Sequence, residues 1–290
     1  MNNVLQTPKK TMFGKIAAYF KDLWSLIRLD FYRAIKDKSV IVITAIVAGY
    51  SLLYVLLGYF FEALDTSLFT ARDTVILSTQ LSSMPFLVVS ILICIFIGKD
   101  LNYGTIRNKI IAGYSKKQIY VSTLLVALVM AFALLFLYQI LSFLVGVSAL
   151  GFPTDSSYPP MSDFWTRIGL GYLLVALAVS VVVFIEMTTR NMTAALIVST
   201  IAFVLGPILS MLVSSLIIVA WGQNSFAFEV FECFFLYDSY VISSGGSILG
   251  NGFQQALEGQ LALKTLISSG ASIVLLNWLG IFVFHKLDLK

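Results

Sequence analysis

The residues of this chain that could do chemistry are few, and most of them lie in one polar interval, residues 98–118. The interval reads GKDLNYGTIRNKIIAGYSKKQ and lies between two long apolar runs. A high density of lysine and arginine indicates contact with acidic groups of a partner. As an alternative, the positive-inside rule alone would produce an ordinary basic cytoplasmic loop. The charged residues are Lys99, Asp100, Arg107, Lys109, Lys116 and Lys117.

Enzymatic and ion-coupled chemistry find little support in the sequence. No GxxxxGK[ST] phosphate-binding motif is present, so we do not expect the chain itself to hydrolyse a nucleotide. The sole histidine, His285, has no cysteine or acid cluster around it, and we predict no metal site. No predicted span has a central ionisable residue of the kind that relays ions in coupled carriers. Glu186 comes nearest, and we expect it to mark the cytoplasmic end of a span.

Composition defines the class of protein. The 290 residues are 59% hydrophobic and 12% charged, about half the charged fraction of a soluble globule, and the formal net charge is +4. We predict an all-α polytopic protein of the cell membrane, with nucleic acid excluded as an expected partner. The two cysteines, Cys94 and Cys233, are interpreted as small buried or interfacial hydrophobic residues without metal-like spacing.

Within the polar interval, local signals predict a short helix. Ile106 and Ile110 are one turn apart, Thr105 is placed to cap the start, and Gly113 suits a left-handed helix end. A seven-residue helix over 106–112 would be about 10 Å long, too short to be stable alone in water. It therefore needs a partner surface.

A second helix is predicted to begin directly after the short one. Ser115 and Gln118 form the sequence pattern of a capping box at its start. Because this helix continues into an apolar run, a push on the short helix would pass directly into the membrane part.

The N-terminal region, residues 1–38, is predicted to contain an amphipathic helix in the plane of the cytoplasmic interface. A soluble helix packed on a domain is the alternative, although no soluble domain is present to receive it. Its predicted apolar face consists of Phe13, Ile16, Phe20, Leu23, Ile27, Phe31 and Ala34. The polar face is assigned to Lys15, Asp22, Arg33, Lys36 and Asp37.

Residues 39–290 are predicted to form one transmembrane domain of six spans. The second span contains a polar patch that must face protein or a watery path; interhelical hydrogen bonds are the favoured use, and the patch is also a candidate pathway. Gly169 and Gly171 suit close helix contact in span four, residues 186–191 are expected to form a tight turn, and Gly206 with Pro207 interrupts span five. The spans are residues 40–61, 75–97, 120–150, 168–185, 193–221 and 263–284, and the patch is Ser78, Thr79, Gln80, Ser82 and Ser83.

An aromatic-rich segment, residues 223–260, precedes the last span. We predict that part of it is a short helix dipping into the outer interface. Its aromatic residues include Phe228, Phe231, Phe234 and Phe235.

Basic residues give the orientation. With both termini in the cytoplasm, inner segments hold 16 of the bases and outer segments 3, while acids divide 6 inside and 9 outside. The positive-inside rule favours this arrangement.

Taken together, these features resemble the membrane subunit of a type-2 ABC exporter of Gram-positive bacteria. The most similar stretch is YGTIRNKIIAGYSKKQIY, and one difference is Asp100, where such permeases often have a glutamate. The resemblance implies that residues 104–111 are a coupling helix docking on a separate subunit that holds ATP and Mg, and that no cofactor belongs to this chain. The implied coupling residues are Gly104, Thr105, Ile106, Arg107, Asn108, Lys109, Ile110 and Gly113.

The resemblance also implies a second permease chain, identical or different, and an outer segment over 226–252 that caps the path. Spans poor in charge suggest an apolar or amphipathic cargo such as a peptide, including an antimicrobial peptide, a lipid or a drug. The alternative function is a membrane sensor or immunity protein that sequesters a toxic peptide without transport. An ion-coupled carrier would need a titratable residue deep in the bundle.

Overall fold

The computed structural model describes residues 12–63, 83–150, 161–201, 206–222, 225–227 and 259–287. Over these residues the chain is almost entirely helical and contains no strand, as its composition predicts. The helices in chain order are α1 (Met12–Lys36), α2 (Lys38–Ala63), α3 (Ser83–Asn102), α4 (Thr105–Ile111), α5 (Lys116–Leu150), α6 (Met161–Thr189), α7 (Met192–Thr200), α8 (Gly206–Trp221) and α9 (Gly259–Lys286).

Several helices have the length and apolarity that a bilayer requires. Three segments in the described part are long and apolar enough to cross a membrane, within α5, α6 and α9. A fourth is present if α3 and α4, bent by 57° relative to each other, count as one broken span. Shorter apolar helices lie at Lys38–Leu53 and Leu212–Trp221. The chain is therefore an all-helical protein with membrane-length apolar helices.

Helices α5 and α6 form the centre of the bundle. Helix α5 contacts α1, α2, α3, α4, α6 and α9, while α6 packs most extensively against α9 and also against α3 and α7. The buried core lies where α3, α5 and α6 meet, at residues such as Ile93, Leu135 and Leu174. Outward faces of α2, α8 and α9 expose large apolar side chains, among them Leu53, Val219 and Trp278. Apolar outer surfaces of this kind suit contact with hydrocarbon.

Helix boundaries differ from the predicted spans at two polar places. Helix α3 continues to Asn102, so residues 98–102 are helical and are not part of a loop. Helix α6 likewise continues through Glu186 to Thr189, and only Arg190 and Asn191 separate it from α7. In both cases the charged residues that suggested an end are accommodated by burial against neighbouring helices, which the sequence pattern does not show.

The predicted close contact at Gly169 is wrong. A Cβ atom placed on Gly169 would meet no other atom within 4 Å, so this position is open. Gly171 is buried. For span five, the structure describes α7 up to Thr200 and α8 from Gly206, and residues 202–205 before the predicted kink lie outside the described part.

Helix α1 is present over nearly the predicted range but packs through a different face. Of the predicted apolar face, Ala34 is buried and Ile27 packs against the core, but Phe20 and Phe31 are exposed. The buried stripe is instead centred on Leu26, Asp30 and Ala34, which are spaced by four residues. The reason is that Asp30 finds ionic partners inside the bundle. The apolar residues of the other face remain free for a membrane interface.

Candidate docking site around helix α4

Helix α4 is a rigid seven-residue helix with a left-handed glycine on either side. Gly104 precedes it with φ 67° and Gly113 follows it with φ 96°, conformations that side chains with a Cβ rarely adopt. The left-handed end at Gly113 is therefore confirmed. Thr105 is not the cap: it is the first helical residue, Gly104 occupies the N-cap position, and no side chain caps the helix.

The inward side of α4 is docked on the chain itself. Ile106 is 4% exposed in the hydrophobic core, and Ile110 packs against that core. Lys109 is 5% exposed. The partner surface that so short a helix needs is thus supplied by this chain, and Ile106 and Lys109 have almost no exposed area with which to contact another subunit.

Lys109 is the centre of a buried ionic network of two acids and two bases. Its Nζ atom lies 2.8 Å from Asp30 Oδ1 and 3.3 Å from Asp100 Oδ2. Arg33 forms an ion pair with Asp100 and lies 3.4 Å from Asp30 Oδ1. The Ser122 hydroxyl donates to Asp30 Oδ2 at 3.0 Å. The network is neutral as a whole, and it joins α1, α3, α4 and α5 at one point.

Further polar contacts tie α1 to the segment after α4. The Ser25 and Tyr114 hydroxyls lie 3.1 Å apart. The Gln118 amide Nε2 donates to the backbone carbonyl of Tyr19 at 3.3 Å. Both contacts lie on α1 before Asp30 of the ionic network. Helix α1 therefore lies along the polar interval over several turns.

A second ion pair joins the α1–α2 connection to α3. Lys99 Nζ donates to Asp37 Oδ1 at 2.6 Å and to the Ser39 hydroxyl at 2.7 Å, and the Ser39 backbone N–H donates to Asp37 Oδ1 at 2.8 Å. Partial burial alone would raise the pKa of Asp37, but the bonds from Lys99 and Ser39 stabilise the carboxylate and together hold its pKa below the ordinary value.

The start of α5 is capped as predicted. The Ser115 backbone N–H donates to Gln118 Oε1 at 2.9 Å, and the Gln118 N–H donates to the Ser115 hydroxyl at 3.3 Å, which is a reciprocal capping box. Next to it, Lys116 Nζ donates to the backbone carbonyls of His285 and Leu287 at the end of α9. A cation at this place satisfies carbonyls that the helix itself leaves unpaired.

The outward side of α4 exposes a mixed surface. Tyr103 is 78% and Ile111 75% exposed, and Arg107 and Asn108 lie exposed between them. Within the described residues no hydrogen bond or ion pair holds Arg107. Two large apolar groups beside a free guanidinium are the features that recur in protein interfaces. We call these four residues the α4 surface.

Glu186 lies where α6 approaches α3 beside Gly98. Its carboxyl group is fully buried, and neither oxygen has a hydrogen-bond partner in the described part of the chain. A Cβ atom on Gly98 would lie 2.7 Å from Met192 Sδ and 3.0 Å from Glu186 Oε1, so α3 approaches α6 and α7 closely here. Glu186 therefore lies in the last turns of α6, three residues before the helix ends at Thr189, and is buried where α3, α6 and α7 meet.

Sequence reasoning missed Asp30. A usable signal was present, because an acid lies midway between Leu26 and Ala34 on a stripe spaced by four residues. A charge inside an apolar stripe indicates a buried partner of opposite sign.

The residues described hold no cluster of potential metal ligands.

Several predicted site residues lie outside the described part of the chain. This applies to the outer aromatic segment and to most of the polar patch of span two. Ser83 is the first residue of α3. The residues outside are Ser78, Thr79, Gln80, Ser82, Phe228, Phe231, Phe234 and Phe235.

No protein-family model, curated protein or solved structure matches this chain.

Proposed function

We propose that this protein is the membrane subunit of a type-2 ABC exporter in the cell membrane and that the α4 surface docks on a separate ATP-binding subunit. One observation supports this most strongly. A short helix is fixed on its inner side by an ionic network, while its outer side presents Arg107, which has no partner among the described residues, between two exposed apolar groups. A helix held in this way can transmit a force that another subunit applies to its outer side.

A displacement of α4 would reach several helices at once. Lys109 joins α4 to Asp30 of α1 and Asp100 of α3, and α4 is followed directly by the capped start of α5. Displacement of α4 would therefore move α1, α3 and α5 together. In the proposed cycle, ATP-driven closure of the partner subunits supplies this displacement, and ATP and Mg belong to that partner.

The remainder of the proposal follows from the sequence. In the proposed topology of six spans with both termini in the cytoplasm, the α4 surface would face the cytoplasm, where an ATP-binding subunit can reach it. A second permease chain, identical or different, would complete the path, and the exposed apolar helix α8 offers surface for it. The cargo is proposed to be an apolar or amphipathic peptide, lipid or drug.

The direct test is a charge reversal on the α4 surface. Arg107→Glu is expected to lower permease-stimulated ATPase activity and co-purification of the ATPase, because it replaces the free guanidinium with a repelling charge. Lys117→Glu is the matched control, since Lys117 is also exposed and basic but lies on α5. Equal loss in both variants, or loss in neither, would contradict the proposal.

Topology can be tested separately. A single cysteine introduced at exposed Lys117 is expected to react with a membrane-impermeant maleimide only in inside-out vesicles or broken cells. Reaction in intact cells would place the α4 surface outside and would remove the basis for docking on an ATPase. A chain that never co-purifies with an ATPase would instead fit the sensor or immunity function.

A further inference from the structure

A cleft of about 620 Å³ lies between α5, α6 and α9. Its lining is almost entirely apolar. The space beside Gly169 is open, since a Cβ atom there would meet nothing within 4 Å. The residues that define it include Phe132, Thr166, Gly169, Tyr172, Leu263 and Leu266.

The cleft lies at the end of the bundle away from α4. Gly169 and Leu263 are close to the starts of the apolar spans Ile168–Thr189 and Leu263–Lys286. The other end of α9 meets Lys116, next to α4, through the carbonyl of His285. Phe132 is sixteen residues farther along α5 than Lys116, about 24 Å of helix.

The walls of the cleft favour a hydrocarbon ligand. The Phe132 and Tyr172 rings pack edge to face, with centroids 5.3 Å apart. The Tyr172 hydroxyl donates to Gln139 Oε1 at 3.2 Å, so the most polar group of the wall is already engaged by the protein. Apolar cavities do not hold water well. Leu263 and Leu266, both more than half exposed, open the cleft sideways on a surface of membrane-length helices.

We propose that this cleft binds one acyl chain of a bilayer phospholipid from the leaflet at the end opposite α4. Its volume has room for roughly twenty methylene-sized groups, taking each as about the volume of a water molecule, ~30 Å³. The volume is therefore sufficient for one ordinary membrane acyl chain. The proposal concerns binding and does not require that the protein export anything.

Photo-cross-linking of the full-length protein in phosphatidylcholine vesicles tests this. The probe is a phosphatidylcholine with a diazirine on one acyl chain, and labelled peptides are mapped by mass spectrometry. We expect labelling of the cleft residues to exceed labelling of exposed Leu53 and Leu56 on α2. Gly169→Phe fills the cleft and is expected to reduce cleft labelling by about tenfold.

Gly49→Phe is the matched control, because Gly49 is an equally open glycine on α2. It should leave cleft labelling unchanged. If Gly169→Phe does not fold, Gly169→Leu is the milder variant, with a smaller reduction expected. Cleft labelling no higher than that of Leu53 and Leu56, or the same labelling in wild type and a folded Gly169 variant, would overturn the proposal.

Discussion

Replacing Lys109 with methionine should destabilise the protein even though the substitution keeps most of the side-chain volume. Lys109 is 5% exposed and its ammonium group contacts two carboxylates, Asp30 at 2.8 Å and Asp100 at 3.3 Å. Removing the cation leaves two acids facing one remaining base, Arg33. Breaking a buried ion pair from one side typically costs about 3–5 kcal/mol.

The structure places the expected loss at the low end of that range, about 3 kcal/mol. Asp30 keeps the Ser122 hydroxyl at 3.0 Å and Arg33 at 3.4 Å, and Asp100 keeps its direct pair with Arg33. The double variant Lys109→Met with Asp30→Asn removes one charge of each sign. It leaves Arg33 paired with Asp100, a neutral remainder, and is expected to recover roughly 1–3 kcal/mol of the loss.

Unfolding can be followed through Cys94, which is fully buried and free. In a Cys233→Ser background, a thiol-reactive dye should label Cys94 only as the bundle opens on heating. Lys117→Met is the control, because Lys117 is exposed, and it should change stability by less than about 0.5 kcal/mol. The reasoning fails if Lys109→Met is as stable as Lys117→Met, or if adding Asp30→Asn destabilises Lys109→Met further.

Other predictions follow from single contacts. Gly280→Ala should cost about 1–3 kcal/mol, because its Cβ would lie 2.1 Å from the hydroxyl of fully buried Tyr120. Gly270→Ala, in open space on the same helix, should be neutral or stabilising in the same thermal assay, and Tyr120→Phe should partly rescue Gly280→Ala. The pKa of Asp37 is lowered in the folded state, so its ion pair with Lys99 stabilises the protein fully at pH values above 3.8, the ordinary pKa. This stabilisation is lost as the pH falls through the lower pKa of the folded state. Asp37→Asn should therefore lower stability at neutral pH and reduce its acid dependence, as measured by melting temperature against pH.

The local parts of the site could be predicted from the sequence because they depend on neighbouring residues. The short helix after the second apolar span, its left-handed end at Gly113 and the capping box of Ser115 and Gln118 all follow from residues within one turn. Burial of Cys94 likewise follows from its apolar surroundings. Helix ends set by distant contacts could not be predicted in this way, as Asp100 and Glu186 show.

The ionic network could not be found from local patterns. Asp30 and Lys109 are 79 positions apart, and their pairing depends on how α1 crosses α4 and α5. From the sequence alone, a lysine such as Lys109 in a basic interval is predicted to be solvent-exposed. Its burial can be predicted only when the position of Asp30 in the fold is known. The inward stripe of α1, with Asp30 between two apolar residues, was the one local sign that such an acid existed.

Arg107 and Lys109 show why position on the helix matters more than charge. They are two residues apart, so they project about 200° apart around α4, on opposite sides. Lys109 faces the bundle and is held by two acids, whereas Arg107 is exposed and has no partner in the described part of the chain. Their charge-removing variants should therefore separate: Lys109→Met should lower the melting temperature, and Arg107→Met should leave it unchanged while reducing ATPase stimulation. If Arg107→Met were instead the destabilising variant, Arg107 rather than Lys109 would hold α4 on the bundle, and the assignment of the α4 surface to docking would be wrong.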